Sequence, residues 1–202
     1  MAANGHQSYI YVGLAGEGQF VGDGGLYRYA VEDGTWQSIA QGLPPAPQVR
    51  ALLIHPDNPA VLYAGTQCGV YRSDDSGETW IPIMEGLPAD FGFPLVTDPA
   101  DPDSAFVIPM IGDGDRVTAD GKVRVYGTRD AGETWTALAA GLPQENAYLT
   151  ILRQAFGAEG EGPELGLYFG ATSGDVFGSG DGGANWFSVH ERLAPVNSVR
   201  VA

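Results

Sequence analysis

An all-β chain made of four repeated units is what this sequence predicts, on three observations. The first is a recurring octet. Ser73-Asp74-Asp75-Ser76-Gly77-Glu78-Thr79-Trp80 returns as Thr128-Arg129-Asp130-Ala131-Gly132-Glu133-Thr134-Trp135 and as Ser179-Gly180-Asp181-Gly182-Gly183-Ala184-Asn185-Trp186. A worn copy, Ala30-Val31-Glu32-Asp33-Gly34-Thr35-Trp36, precedes them, one residue shorter and with Glu32 in the aspartate column. The second is an exit signal six residues after each Trp: Gly42-Leu43-Pro44, Gly86-Leu87-Pro88, Gly141-Leu142-Pro143 and the variant Arg192-Leu193-Ala194-Pro195. The third is that the intervening runs are β-branched and aromatic, without a sustained 3.6-residue apolar period.

Successive Trp residues lie 44, 55 and 51 positions apart, within the period of repeat architectures. Each unit reads as four short strands. The first follows the Leu-Pro exit, at 49–54, 93–97, 148–156 and 196–201. These runs do not alternate strictly, as expected of strands covered on both faces. Pro- and Asx-rich turns such as His55-Pro56-Asp57-Asn58-Pro59 follow, because Pro presets φ and Asx side chains bond nearby backbone. Second strands are predicted at 9–12, 61–64, 105–108 and 167–169, third strands at 26–29, 70–73, 123–126 and 175–177, and a fourth beginning at each Trp. Four antiparallel strands per ~50 residues with Gly and aromatic landmarks are the signature of a β-propeller blade. One domain is expected over 1–202, with blades at 9–43 plus 196–202, 44–87, 88–142 and 143–195. The chain opens at a second strand and ends after a first strand, so the C-terminal strand is expected to complete the first blade. Such a strand would remove exposed edges. Three arrangements stay open: a single four-bladed ring, half of a two-chain eight-bladed ring, and a fragment of a longer propeller.

Composition narrows the partners. Of 202 residues, 25 are acidic and 10 basic, a formal charge of −15. That surface repels nucleic-acid phosphates and anionic lipid, so neither is an expected partner. Cys68 is the only cysteine, which excludes an internal disulfide. It sits in a short hairpin without a basic neighbour to activate it. No signal peptide or long apolar span is visible, so the sequence reads as cytoplasmic by default.

The Ser/Thr-x-Asp-x-Gly-x-Thr/Asn-Trp columns resemble the Asp-box, or BNR, repeat of sialidases, sortilin-type receptors, xyloglucanase-like glycoside hydrolases and a photosystem-assembly propeller. The resemblance covers nearly the whole chain as repeated blades. It implies a structural role for Ser73, Asp75, Gly77 and Trp80, for Thr128, Asp130, Gly132 and Trp135, and for Ser179, Asp181, Gly183 and Trp186. A catalytic site is needed once, whereas a blade turn is needed in every blade. The resemblance also places these turns away from the usual ligand face.

Candidate chemistry is sparse. A sialidase would need an arginine triad and a Phe/Tyr-Arg-Ile-Pro signature, which is absent. Arg50 and Arg200 occupy similar places at the start of first strands, in Val49-Arg50-Ala51 and Val199-Arg200-Val201, with no third partner. Glycoside hydrolysis needs two carboxylates facing across a cleft, and sequence alone does not select them. Two enlarged loops lie at the ends of the blades opposite the boxes, where recognition is expected. One, 13–25, carries Glu17, Phe20 and Asp23; the other, 111–122, carries Asp113, Asp115 and Asp120. The three aspartates invite Ca²⁺ but miss the spacing of a calcium loop, since Val117 stands where a ligand belongs. His6, His55 and His190 show no metal-ligand spacing, and no cofactor is expected. The reading is a non-catalytic binding or assembly module for protein or carbohydrate that could form a homodimer; the alternative is a sialidase-like or xyloglucanase-like glycoside hydrolase.

Overall fold

A computed structural model describes residues 8–16, 24–89, 94–112 and 114–201. Among the described residues, fifteen strands form four separate antiparallel meanders in chain order. The first sheet is β1 (Tyr9–Leu14), β2 (Gly25–Ala30) and β3 (Thr35–Ser38). The second is β4 (Ala51–Ile54), β5 (Leu62–Thr66), β6 (Gly69–Ser73) and β7 (Ile81–Pro82). β8 (Leu95–Asp98), β9 (Asp101–Val107), β10 (Val125–Thr128) and β11 (Thr136–Leu138) make the third. β12 (Phe156–Glu159), β13 (Gly166–Gly170), β14 (Val176–Ser179) and β15 (Phe187–His190) make the fourth. Among the described residues the only helical segments are two three-residue 3-10 turns, at Ala119–Gly121 and Gly162–Glu164. The expected all-β blade architecture is therefore present, and no helix is long and apolar enough to cross a membrane in the described residues.

The chain divides into two compact units, 1–83 and 84–202, each holding two sheets. In the first, Leu26, Ile39, Val49, Leu62, Ala64 and Trp80 form the buried core. In the second, Phe106, Val125, Leu167, Phe169, Phe177 and Trp186 belong to a larger core that also takes in Ile108, Met110 and Ile151. Edge-to-face packing of Phe169 on Trp186, with centroids 5.3 Å apart, fills the space that aliphatic side chains leave.

Two expectations shift. The apolar run 148–156 was expected to be one first strand, yet β12 begins only at Phe156. Its upstream part is held by other bonds: Leu149 accepts from the Thr118 N–H and donates to the Thr118 hydroxyl, and the Ala155 N–H turns back to the Leu152 carbonyl. The first sheet has three strands, and residues 191–201 belong to no strand, so the expected fourth strand of the first blade is not formed among the described residues. The segment lies along the fourth sheet instead, where the Val196 N–H donates to the Ala171 carbonyl and the Val199 N–H to the Gln154 carbonyl.

Within each unit the two blades are joined through the two sequence signals. The Trp80 N–H donates to the Gln41 carbonyl and the Trp186 N–H to the Ala140 carbonyl. Each acceptor directly precedes an exit glycine. Gly42 and Gly141 adopt φ of 94° and 90°, and a Cβ on either would lie 2.1 Å from the carbonyl oxygen of the following blade's Trp. Glycine is needed twice over there, for the backbone conformation and for the approach. Gly86 has the same φ of 94° but leaves 3.7 Å to the Trp135 carbonyl. Trp80 adds an indole N–H bond of 2.7 Å to the Ile39 carbonyl, whereas the buried Trp186 indole N–H has no acceptor among the described residues.

This difference between glycines is measurable. Gly86→Ala is expected to cost about 1–3 kcal/mol for the left-handed backbone alone. Gly141→Ala adds the collision with the Trp186 carbonyl and is expected to cost more, read as a lower thermal or urea midpoint than that of Gly86→Ala.

Candidate functional site

The repeated turns are built alike, atom for atom. In the second blade the Ser73 hydroxyl donates to Asp75 Oδ1 (2.8 Å) and accepts the N–H of Gly77 (2.8 Å). Asp75 then accepts the Thr79 N–H on Oδ1 (2.8 Å) and the Thr79 hydroxyl on Oδ2 (2.6 Å). Thr128, Asp130, Gly132 and Thr134 repeat the pattern, and so do Ser179, Asp181, Gly183 and Asn185, with the Asn185 amide replacing the threonine hydroxyl. These bonds favour the ionised carboxylate. The Thr134 hydroxyl, followed by the Thr134 N–H and the Thr128 hydroxyl, pulls Asp130 down to about 2. Asp75 is lowered mainly by the Thr79 hydroxyl and Asp181 mainly by the Asn185 amide. The worn first copy differs: Glu32 accepts the Ser8 N–H at 2.8 Å, and that bond lowers its titration.

Gly77 and Gly183 carry φ of 90° and 88°, and a Cβ there would meet the side chain of the preceding blade, Ile39 at 2.6 Å or Leu138 at 2.9 Å. Arg28 reinforces the first junction. Its guanidinium donates to the Ser76 carbonyl (3.1 Å), to Gln37 (2.7 Å) and to Glu78 (2.5 Å), and lies 4.7 Å over the Tyr9 ring. The Tyr11 hydroxyl reaches the same Ser76 carbonyl at 3.3 Å.

The candidate face lies at the other end of each sheet, since successive connections of an antiparallel meander alternate ends. Glu17, Phe20, Asp23 and Asp113 lie outside the described residues. The described part of the 111–122 loop is held by several bonds. Met110 bridges to Thr118, the Ile111 N–H donates to the Val117 carbonyl, and the buried Thr118 hydroxyl donates to the Ala147 carbonyl at 2.5 Å. The Ala147 N–H answers to the Gly121 carbonyl at 2.8 Å. Asp115 and Asp120 are exposed on this base, and Asp120, at φ 58°, lies 3.5 Å from the Arg124 guanidinium. Among the described residues no group of three or more His, Cys, Asp and Glu could hold a metal ion.

Arg50 and Arg200 are both exposed, but they do not share a register position. Val49 bonds the Leu14 carbonyl and abuts Gly13, while Val196 bonds the Ala171 carbonyl and abuts Gly170. Val196 is therefore the counterpart of Val49, and Asn197 that of Arg50. Arg200 lies three residues further on, where its guanidinium donates to the Val199 carbonyl at 2.8 Å. The similarity of the two tripeptides masked a three-residue offset.

Three features have no signal in the sequence. Buried Gln48, at φ 45°, accepts the Gly16 N–H at 2.6 Å and packs against Gly24, and so holds both described margins of the 13–25 loop. Thr118 does the same for the second loop. A groove of about 300 Å³ opens in the second unit at the end that carries the repeated turns, lined by Phe106, Leu138, Arg129, Asp130, Thr134 and Gly182 among others.

No protein-family model matches the chain, and no curated protein matches it. Solved structures do. The GH74 enzyme from Niastella koreensis superposes with a TM-score of 0.52 at 18% identity over 90% of this chain and 27% of its own. An ancestral GH74 enzyme gives 0.51 at 20% identity over 82% and 21%. The GH74 xyloglucanase from Xanthomonas campestris gives 0.50 at 18% over 90% and 29%. The chain thus spans between a fifth and a third of those proteins. At this identity the likeness establishes the fold: these are β-propeller proteins, and this chain is made of propeller blades.

Acid titration tests the turn. A carboxyl lowered in the folded state contributes stability that is complete above its ordinary value of ~3.9 and is lost as pH falls toward the folded value. For Asp130 that window runs from there down to about 2. Asp130→Asn is expected to lower the melting temperature at neutral pH, with the gap to the unmodified protein closing across this window.

Proposed function

We propose that the repeated turns are Asp boxes and that the chain is a non-catalytic binding or assembly module. Its contact surface is the long-loop end of the blades, and its partner is a protein or a carbohydrate. The observation that carries this reading is the saturation of the repeated carboxylates. Asp75, Asp130 and Asp181 each spend both oxygens on their own turn and are held ionised by it. A general acid in glycoside hydrolysis needs a raised titration, so these groups are built for closure and not for proton donation. The anchoring of the 111–122 loop by Thr118 supports the choice of face, because recognition residues act best from a rigid base. Asp120 already faces Arg124, which favours a contact surface over a Ca²⁺ site at this loop.

The second reading is glycoside hydrolysis, favoured by the similarity to GH74 enzymes. Incubation with xyloglucan, 4-nitrophenyl glycosides and sialosides separates the two. The expected result is no turnover above the buffer rate. Turnover abolished by Asp115→Asn or Asp120→Asn, with the melting temperature unchanged, would overturn the binding-module reading.

A further inference from the structure

Each unit contains one junction between two blades, and the two junctions correspond residue by residue. In the first unit, strand pairing sets Tyr11, Arg28 and Gln37 in one row across β1, β2 and β3. In the second unit the same row across β9, β10 and β11 is Phe106, Gly127 and Thr136. The repeated Trp fixes the match, because Gln37 directly follows Trp36 and Thr136 directly follows Trp135. Two residues further on, Ile39 and Leu138 each abut the turn glycine of the next blade, Gly77 and Gly183.

Arg28 fills the first of these rows. Only 8% exposed, it donates to Gln37 in its own sheet and to the Ser76 carbonyl and Glu78 in the turn of the next blade. The Tyr11 hydroxyl donates to that same carbonyl. In the second row these donors are gone, since Gly127 has no side chain and Phe106 no hydroxyl. Ala184 stands where Glu78 does, and the Gly182 carbonyl, which corresponds to that of Ser76, receives neither bond. In place of the arginine side chain there is the groove of about 300 Å³, and Phe106, Gly127, Thr136 and Gly182 all line it. Gly127 is not at positive φ, so the backbone does not demand glycine there. A glycine inside a strand often marks the close approach of a ligand or another chain. The second junction is incomplete in a further respect, because the Trp186 indole N–H lacks the acceptor that Trp80 finds in Ile39, among the described residues.

We propose that this groove binds the guanidinium of an arginine carried by a partner polypeptide, which enters the space that Arg28 fills in the first unit. The Gly182 carbonyl and the Thr136 hydroxyl then accept as the Ser76 carbonyl and Gln37 accept from Arg28. The Asp130 carboxylate, in the same wall, supplies the negative charge that Glu78 supplies in the first unit. The apolar stem of the arginine lies over Phe106 and Leu138. A guanidinium fork spans two separate acceptors, whereas an ammonium is a point charge, so arginine is favoured over lysine. The formal charge of −15 draws a cationic partner toward the chain. One group opposes it: Arg129 stands exposed in the groove wall and repels a second cation. The site is at the end of the blades that carries the repeated turns, away from the long loops, and it holds whether or not the chain hydrolyses anything.

An amide chemical-shift titration of the full chain with the peptide acetyl-Gly-Arg-Gly-amide tests the site, with the lysine and glutamate analogues alongside. The arginine peptide is expected to give saturable shifts at Gly127, Thr136 and Gly182, at lower concentration than the lysine peptide, and the glutamate peptide none. Thr136→Val removes one acceptor and is expected to weaken binding about threefold to tenfold. Arg129→Gln removes the like charge and is expected to tighten it. Gly127→Arg fills the groove from within and is expected to abolish it. A Cβ at Gly127 comes within 3.0 Å of Leu138 and 3.2 Å of Phe106, so the other two variants carry the test if this one does not fold. No saturable shift at these amides, equal affinity for the arginine and lysine peptides, or weaker binding in Arg129→Gln would each overturn the proposal. Shifts with the glutamate peptide that vanish in Arg129→Gln would assign the groove to a carboxylate instead.

Discussion

In each of three turns a single carboxylate accepts bonds from residues on both sides of a glycine, and a hydroxyl two positions upstream holds that carboxylate in place. The third and fourth strands of the blade are set by this closure, and the Trp that follows is delivered to the preceding blade. Without it the Trp80 N–H would have no fixed approach to Gln41, nor the Trp186 N–H to Ala140. Turn, strand register and blade junction are therefore one connected constraint. It draws on polar bonds at the surface and on aromatic packing beneath them.

The chain shows how far a repeated pattern can be read. Strand positions in the second blade, the turn residues and the exit glycines were legible because each recurs in register, and recurrence separates signal from composition. Residues 148–156 were misread for a physical reason. Their apolar character suits a buried strand, but Thr118, about thirty residues upstream, takes both backbone bonds of Leu149, and the Ala155 N–H turns back to Leu152. Gln48 and Thr118 were invisible for the same reason. A single side chain bonding backbone far along the chain has no period and no motif. The offset between Arg50 and Arg200 shows the opposite hazard, a local resemblance that the hydrogen-bond register does not honour.

The candidate site was less legible than the scaffold because its loops do not repeat. The 13–25 and 111–122 segments differ in length and composition, as expected where a rigid frame presents variable chemistry. What the structure adds is the means of support. Each loop is tied down through one buried polar side chain: Gln48, from outside the first loop, and Thr118, within the second, bonded to Ala147 and Leu149. Acidic groups such as Asp115 then project from an anchored base, and the cost of ordering them is met in folding and not in binding.

The junction at Gly141 carries a wider meaning. What passes between the two blades there is a main-chain N–H, a main-chain carbonyl and the space left by a missing side chain. A joint of that kind is indifferent to which residues its neighbour carries elsewhere. A duplicated blade could dock on its parent at once, with no compensating changes, and the two could then drift apart in every position but these. An architecture with joints of this kind can grow by copying, while its loops change independently of them.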